Sequence, residues 1–350
     1  MDSSLRLIAA TPDMTDALTS ALREHGIAFR NEGNLVMVEG DGAPERVVGQ
    51  LRQFLSGAGR EGVSVVEEMA YPDEFPVTTR LDAWWWVFAT AWFEKAMAAN
   101  AFAVWFQPVV DTTARRTIGH ECLIRMTRGH RREGAEIMAA GTAHRDMGEF
   151  DAYVRKLSIR AAAAQRAPDG DSVCFLNFIP ACGVGETMEL LQQAGIKPGN
   201  IVMEAVESNH HADVTQLKNI GDYLREQGMG FALDDVEADA DSVRMISELR
   251  PDYIKLDKHL VHRIEHPAEA AAVRRLVEVA ERLGVRVVAK GVERVPTMEH
   301  LWMAGIRYMQ GYLFGSPAPE ITRAGAPMAD GYSEWDNAGI PAGLLTASVT

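Results

Sequence analysis

Cysteine is scarce in this chain: Cys122, Cys174 and Cys182 are the three among 350 residues. None belongs to a CxxC pair or sits beside a histidine run, so neither a zinc site nor a disulfide framework is indicated, and buried thiols in a reducing compartment fit the pattern. Positive charge is in deficit, with 35 Lys and Arg against 49 Asp and Glu and a net charge of −14. A field of that sign repels polyanions, which excludes a general DNA or anionic-membrane binder but leaves room for a small anion in a locally compensated pocket. Long apolar runs are missing as well. The most apolar stretch, 81–93, contains Asp82, is bounded by Arg80 and Glu94, and is too short to span a bilayer. No basic segment leads into an apolar run at the start, so no secretory signal is read and a cytoplasmic location is expected.

What is present suffices for two cores. An apolar content of 47% in 350 residues supports one large domain of about 200 to 250 residues and a small one. Residues 1–70 alternate as a small α+β domain. A strand over 5–9 precedes a helix whose Met14, Ala17, Leu18, Ala21 and Leu22 share a face, with Pro12 in its first turn and Gly26 past its end. Runs 27–29 and 35–38 flank a turn of Asn31, Glu32, Gly33 and Asn34. A second helix carries Val47, Val48, Leu51, Phe54 and Leu55, and 63–66 is a last strand. The order βαββαβ suggests a ferredoxin-like sandwich. Within residues 1–75 there are 13 Asp and Glu against 6 Lys and Arg, half of the net charge of the whole chain. No phosphate-binding loop accompanies that charge, so a sensing role and a plain docking or dimerisation role both fit.

Pro72 and Pro76 make 71–79 an extended linker, and 81–100 reads as one helix. Its Trp84, Trp85, Trp86, Phe88, Trp92 and Phe93 surround more than one face, which suits burial between domains or subunits. From 102 a short apolar run ending in polar residues recurs, usually followed by a helix-like stretch: 102–110, 119–126, 173–180, 201–206, 230–236, 253–260, 286–292 and 308–314. This is the rhythm of a (β/α)8 barrel over 101–328, and 329–350 reads as a loose tail. The polar residues that end the runs are Glu121, Asn177, Glu204, Asp234 with Asp235, Lys255, Lys290 and Gln310. Burying any one unpaired costs on the order of several kcal/mol. Their convergence on one barrel mouth therefore points to chemistry, and oxygen donors from four strands suit Mg²⁺ or Mn²⁺ better than zinc.

The blocks Gln107-Pro108-Val109-Val110, Glu121-Cys122-Leu123-Ile124-Arg125, Leu176-Asn177-Phe178, Glu204-Ala205-Val206-Glu207, Leu233-Asp234-Asp235, Ile254-Lys255-Leu256-Asp257, Val288-Ala289-Lys290-Gly291-Val292-Glu293 and Gln310-Gly311-Tyr312-Leu313-Phe314-Gly315 resemble, in order, the signature blocks of the EAL-domain cyclic di-GMP phosphodiesterases. The resemblance covers about 91–322. It implies a two-cation hydrolase site on an EAL-type barrel. Glu121, Asn177, Glu204 and Asp234 would bind the first cation, Asp234 with Asp235 the second, and Lys255 would hold the attacking water. Gln107, Arg125, Glu293 and Gln310 would contact the nucleotide or order the site.

Three departures accompany the resemblance. Cys122 replaces the family's alanine, Lys290 replaces the carboxylate that opens the Glu-Gly-Val-Glu block, and Val236-Glu237-Ala238-Asp239-Ala240-Asp241 replaces a glycine-rich loop. The resemblance thus implies a degenerate member with at most one cation, Mg²⁺ or Mn²⁺, acting as a cyclic di-GMP receptor. A protein partner or self-dimer would engage its N-terminal domain or Trp-rich helix. Two alternatives stay open: an active phosphodiesterase in which Glu237 or Asp239 supplies the missing carboxylate, and a docking protein that no longer binds nucleotide.

Overall fold

The structure, a computed structural model, describes residues 5–38, 47–48, 50–51, 55, 63–66, 78–80, 90–127, 132, 134–165, 172–206 and 214–321. The chain divides into two units, residues 1–101 with 135–145 and residues 102–134 with 146–350. An excursion from within the barrel segment, 135–145, belongs to the first unit. That excursion carries no composition change by which a sequence reading could detect it.

The first unit contains β1 (Leu5–Ala9), α1 (Pro12–Glu24), β2 (Phe29–Glu32), β3 (Leu35–Val38), β4 (Val63–Val66), β5 (Thr78–Arg80), α2 (Trp92–Ala98) and most of α3 (Gly134–His144). Its sheet has the order β2-β3-β1-β4-β5 with every neighbour antiparallel. The first four strands have the ferredoxin-like order. The fifth was unforeseen: Thr78 and Thr79, expected in an extended linker, pair with Val66 and Val65.

Helix α1 starts where Thr11 accepts a hydrogen bond from the Met14 amide, with Pro12 in the first turn. Its inner face is Thr15, Leu18, Thr19, Ala21 and Leu22, whereas Ala17, expected inside, is exposed. The threonine hydroxyls donate to Thr11 O and Thr15 O at 3.2 and 2.9 Å, so they enter the core with their polar atoms satisfied by the helix itself. Of the expected helix over 81–100, the described part is Trp92–Ala98. Phe93 is buried and stacks on His144 at 5.9 Å, and Thr90 Oγ1 lies 2.8 Å from His144 Nε2. Phe54, Trp84, Trp85, Trp86, Phe88, most of 71–79 and the tail 329–350 lie outside the described residues.

The second unit is a closed barrel of eight strands: β6 (Phe102–Asp111), β7 (Arg116–Met126), β8 (Val173–Phe178), β9 (Ile201–Val206), β10 (Gly230–Val236), β11 (Tyr253–Leu256), β12 (Arg286–Ala289) and β13 (Tyr308–Met309). Helices α4 (Met147–Ala164), α5 (Thr187–Ala194), α6 (Val214–Glu226), α7 (Ala240–Leu249), α8 (Lys258–His262), α9 (Pro267–Leu283) and α10 (Val295–Met303) lie between the strands from β7 onward. All eight expected runs contain strands, but β6 is antiparallel to both β7 and β13. The cause is local. Asp111 Oδ1 accepts the Thr113 and Ala114 amides at 2.9 Å each, closing a tight turn, whereas a parallel return needs a crossover of roughly a dozen residues. Among the described residues no helix is long and apolar enough to cross a membrane.

Two apolar layers follow from strand alternation. Cys174, Leu176, Met203, Leu233 and Ile254 pack in the core shared with the helices. Val109, Val173, Phe175, Val202, Ala232, Tyr253 and Val288 form a separate cluster, the barrel's own filling. Two residues along the same strands and on the same face stand Gln107, Asn177, Glu204, Asp234, Lys255 and Lys290. The inner column therefore changes from apolar to charged within one residue pair.

The loops after β12 and β13 are stitched together at that level. Gln310 N donates to Ala289 O, Val292 N to Gln310 O and Leu313 N to Val292 O, at 2.8, 3.1 and 3.1 Å. Gly311 permits this approach, since a Cβ there would lie 2.1 Å from Val292 O and 2.3 Å from Val292 N. Gly311→Ala should therefore destabilise the chain by roughly 3 kcal/mol or more, whereas Gly185→Ala, whose Cβ meets nothing within 4 Å, should leave the denaturation midpoint nearly unchanged. Equal midpoints for the two variants would refute the stitching.

Candidate functional site at the barrel mouth

Lys255, on β11, has no exposed surface, and its Nζ lies 2.8 Å from Glu121 Oε2 and 2.6 Å from Glu204 Oε1. The stem runs past Phe175, whose ring centroid is 4.9 Å from Nζ. Gln310 Nε2 donates to Glu121 Oε2 at 2.7 Å and to Gln107 Oε1 at 3.1 Å, and Asn177 Nδ2 reaches Glu121 Oε1 at 3.4 Å. Gln107 in turn donates to Gly315 O at 3.2 Å. Six strands or strand ends thus meet at one carboxylate and one ammonium.

Asp234 and Asp235 are consecutive, so a regular strand would send them to opposite faces. The pairing of β10 with β11 shifts register between Leu233 and Val236, and Asp235 has φ of 54°. This is a bulge with one residue in the left-handed region, a conformation Asp tolerates better than most side chains. It turns both carboxylates toward Lys290, whose Nζ lies 2.6 Å from Asp234 Oδ1 and also pairs with Asp235 Oδ1. Gly291, the next residue, has φ of 70° and gives its carbonyl to His262 Nε2 at 3.1 Å.

The charges are unevenly satisfied. Burial opposes ionisation of Glu121, but Lys255 and Lys290 outweigh it and hold the carboxyl down at about 2. Glu204 is fully buried, and burial pushes its carboxyl up to about 8 against the pull of Lys255. Its Oε2 has no hydrogen-bond partner. Burial also raises Asp234, with Lys290 opposing. Both lysines are penalised by burial yet held well above the usual range, Lys255 by Glu121 and Glu204, Lys290 by Asp234 and Glu121. Two ammonium groups therefore share four carboxyl groups, and one buried oxygen of Glu204 is left without a hydrogen-bond partner among the described residues.

Among the described residues no three His, Cys, Asp or Glu side chains stand grouped as ligands of one metal ion. The carboxylates are drawn onto the lysines instead. The available donors, Glu121, Asn177, Glu204 and Asp234, are nevertheless hard oxygens once the Asn177 amide turns its Oδ1 inward, and the unpaired Glu204 oxygen suits a divalent cation. Nine of the eleven expected residues come together here. Of the other two, Arg125, near the end of β7, donates to Ile124 O at 2.9 Å, and Glu293 is exposed in the loop after β12.

A family model described as the EAL domain matches residues 90–317, more than half of the chain. The chain belongs to the EAL domain family. Over 240 residues it is 27% identical to cyclic di-GMP phosphodiesterase PdeF of Escherichia coli, covering 65% of this chain and 31% of that protein. The chain spans about a fifth to a half of the length of the curated relatives it matches. Klebsiella pneumoniae BlrP1, solved as a calcium and cyclic di-GMP complex, aligns at TM-score 0.59 and 22% identity over 91% of this chain and 97% of that one. Bacillus subtilis YkuI, with an EAL domain and in complex with substrate cyclic di-GMP and calcium, aligns at 0.60 and 20% over 70% and 63%. At such identities the structural likeness concerns the fold.

The altered loop of this EAL barrel supplies no replacement carboxylate to the cluster. Asp239 caps α7, accepting the Ser242 amide at 2.8 Å, and Glu237 is exposed. One supporting pair escaped sequence reading. Asp151 and Arg155, buried on α4, form an ion pair at 2.9 Å, while Asp151 Oδ1 accepts the Ile179 amide and Arg155 donates to Gly183 O. They hold the loop that follows Asn177. Charged residues four apart on a helix otherwise rich in small residues were the available signal.

Lys255→Met keeps the stem but leaves Glu121 and Glu204 buried without their shared cation, at an expected cost of roughly 3–5 kcal/mol. Urea unfolding should show this loss, with most of it recovered when Glu121→Gln and Glu204→Gln are added. A single variant within about 1 kcal/mol of the parent would contradict the pairing.

Proposed function

We propose that this EAL barrel is a cyclic di-GMP receptor that binds the nucleotide at its mouth with at most one divalent cation, Mg²⁺ or Mn²⁺, and hydrolyses it little or not at all. The observation that carries the reading is the Lys290 ammonium lying across Asp234 and Asp235, the carboxylates assigned to a second cation by family resemblance. The names of the relatives and the complexes of BlrP1 and YkuI support the choice of ligand.

In this reading Glu121, Asn177, Glu204 and Asp234 hold the one cation. When bound, it supplies positive charge to a phosphate oxygen and acidifies a coordinated water. Lys290 offsets one of the two aspartate charges and offers its remaining donor to the other phosphate. A fixed ammonium gives charge without a coordinated water, so binding survives where hydrolysis does not. Lys255 stays protonated between Glu121 and Glu204 and sets their positions; Gln310 and Gln107 orient Glu121. Arg125, whose planar fork suits a phosphate, and Glu293 contact the nucleotide from the rim. A protein partner or a second copy, engaged through the acidic N-terminal domain or the Trp-rich segment, receives the signal.

Calorimetric titration with cyclic di-GMP, with and without Mn²⁺, should show saturable binding, while product analysis shows no linear dinucleotide on the same timescale. Brisk hydrolysis by the unaltered chain would overturn the receptor reading, and absence of binding would leave the docking alternative. Arg125→Ala should weaken binding by about 1.5 to 3 kcal/mol, and unchanged affinity would remove Arg125 from the site. Lys290→Glu should raise the number of Mn²⁺ ions bound yet restore at most slow cleavage, because the 236–241 segment still lacks its family form.

A further inference from the structure

A cavity of about 570 Å³ lies at the end of the barrel opposite the charged cluster. Its lining includes Val173, Gly230, Tyr253 and Arg286, the first residues of β8, β10, β11 and β12, together with Lys197, Asn200 and Asp252 from the preceding loops. The mouth residues stand at the other ends of the same strands. The volume is that of a small-molecule site, within the range of about 300 to 1,000 Å³.

Its charge contrasts with the chain's net −14. Arg286 lies with its guanidinium 5.1 Å from the centroid of the Tyr253 ring and donates NH1 to Tyr253 Oη at 2.5 Å. That fixes the guanidinium plane; among the described residues its other donors make no side-chain hydrogen bond, and the Asp252 carboxylate acts on its charge from nearby. Lys197 is exposed on the same lining. The one carboxylate there, Asp252, turns Oδ2 onto the Phe231 amide at 2.9 Å. Gly199 and Gly228 bring bare backbone to the cavity, a Cβ on Gly199 reaching within 3.6 Å of Gly228 O. Two cations against one carboxylate, one of the cations a pre-oriented fork, thus line a cavity to which glycines also contribute.

We infer that this cavity is a second ligand site, taking the phosphate group of a small phosphomonoester between Arg286 and Lys197. The fork of Arg286 meets two phosphate oxygens, Lys197 adds a point charge, and the glycines of the lining leave room for the organic remainder. None of these residues belongs to the mouth cluster, so the site stands or falls independently of nucleotide binding there.

The test is titration of the full chain, labelled with ¹⁵N-glycine, with inorganic phosphate at constant ionic strength. Saturable shifts of the Gly199, Gly228 and Gly230 amides are expected, and acetate at equal concentration should produce none. Arg286→Gln and Lys197→Gln should each weaken the phosphate response about ten-fold or more, with Arg286→Lys intermediate because it keeps the charge and loses the fork. Thermal denaturation identifies any variant that fails to fold, and Lys197→Gln, at an exposed loop position, then decides alone. Unsaturable shifts, an equal response to acetate, or undiminished phosphate binding in a folded Lys197→Gln chain would overturn the proposal.

Discussion

An ammonium group with no access to water, shared between two buried carboxylates, is the interaction on which the barrel mouth depends. Lys255 and Glu204 have no exposed surface, and the ammonium could not be placed there without the Glu121 carboxylate and the Glu204 carboxyl beside it. Phe175 under the ammonium and the apolar cluster below it make the surroundings dry, which strengthens each pairing and raises the cost of each unpaired atom. The orphaned Glu204 oxygen shows that two lysines do not fully satisfy the carboxylates gathered around them. In the proposed reading this imbalance is what one divalent cation relieves, with Lys290 standing where a second would sit.

In the proposed reading the second lysine changes the chemistry without changing the scaffold. The bulge at Asp234 and Asp235 presents both carboxylates to the mouth whether their partner is a metal ion or an ammonium group. Lys290 needs only the turn at Gly291 and the stitching of its loop to Gln310 and Leu313 to reach them. One substitution can therefore keep the shape and approximate charge of a two-cation site while removing the water that the second cation would activate.

Much of this was legible from residue patterns, because strand alternation is strict. The eight apolar runs became the eight strands, and the polar residues closing them lie on the same face as the barrel filling, two positions farther along. What escaped has identifiable causes. Thr15 and Thr19 read as polar but satisfy their hydroxyls within α1. Three residues, Thr78 to Arg80, are too few for a periodic signal to reveal the edge strand. The reversal of β6 depends on the length of the 112–115 turn rather than on composition. Glu293 belongs to a block that resembles a family motif, yet it is exposed in the loop after β12, whose course no spacing rule dictates.

Anomalous diffraction from crystals of the complex with cyclic di-GMP and Mn²⁺ tests the account most directly, by counting ions at the mouth. The account predicts one Mn²⁺ among Glu121, Asn177, Glu204 and Asp234, with Lys290 Nζ between Asp235 and a phosphate oxygen. Two Mn²⁺ ions, with Lys290 displaced into solvent, would contradict it.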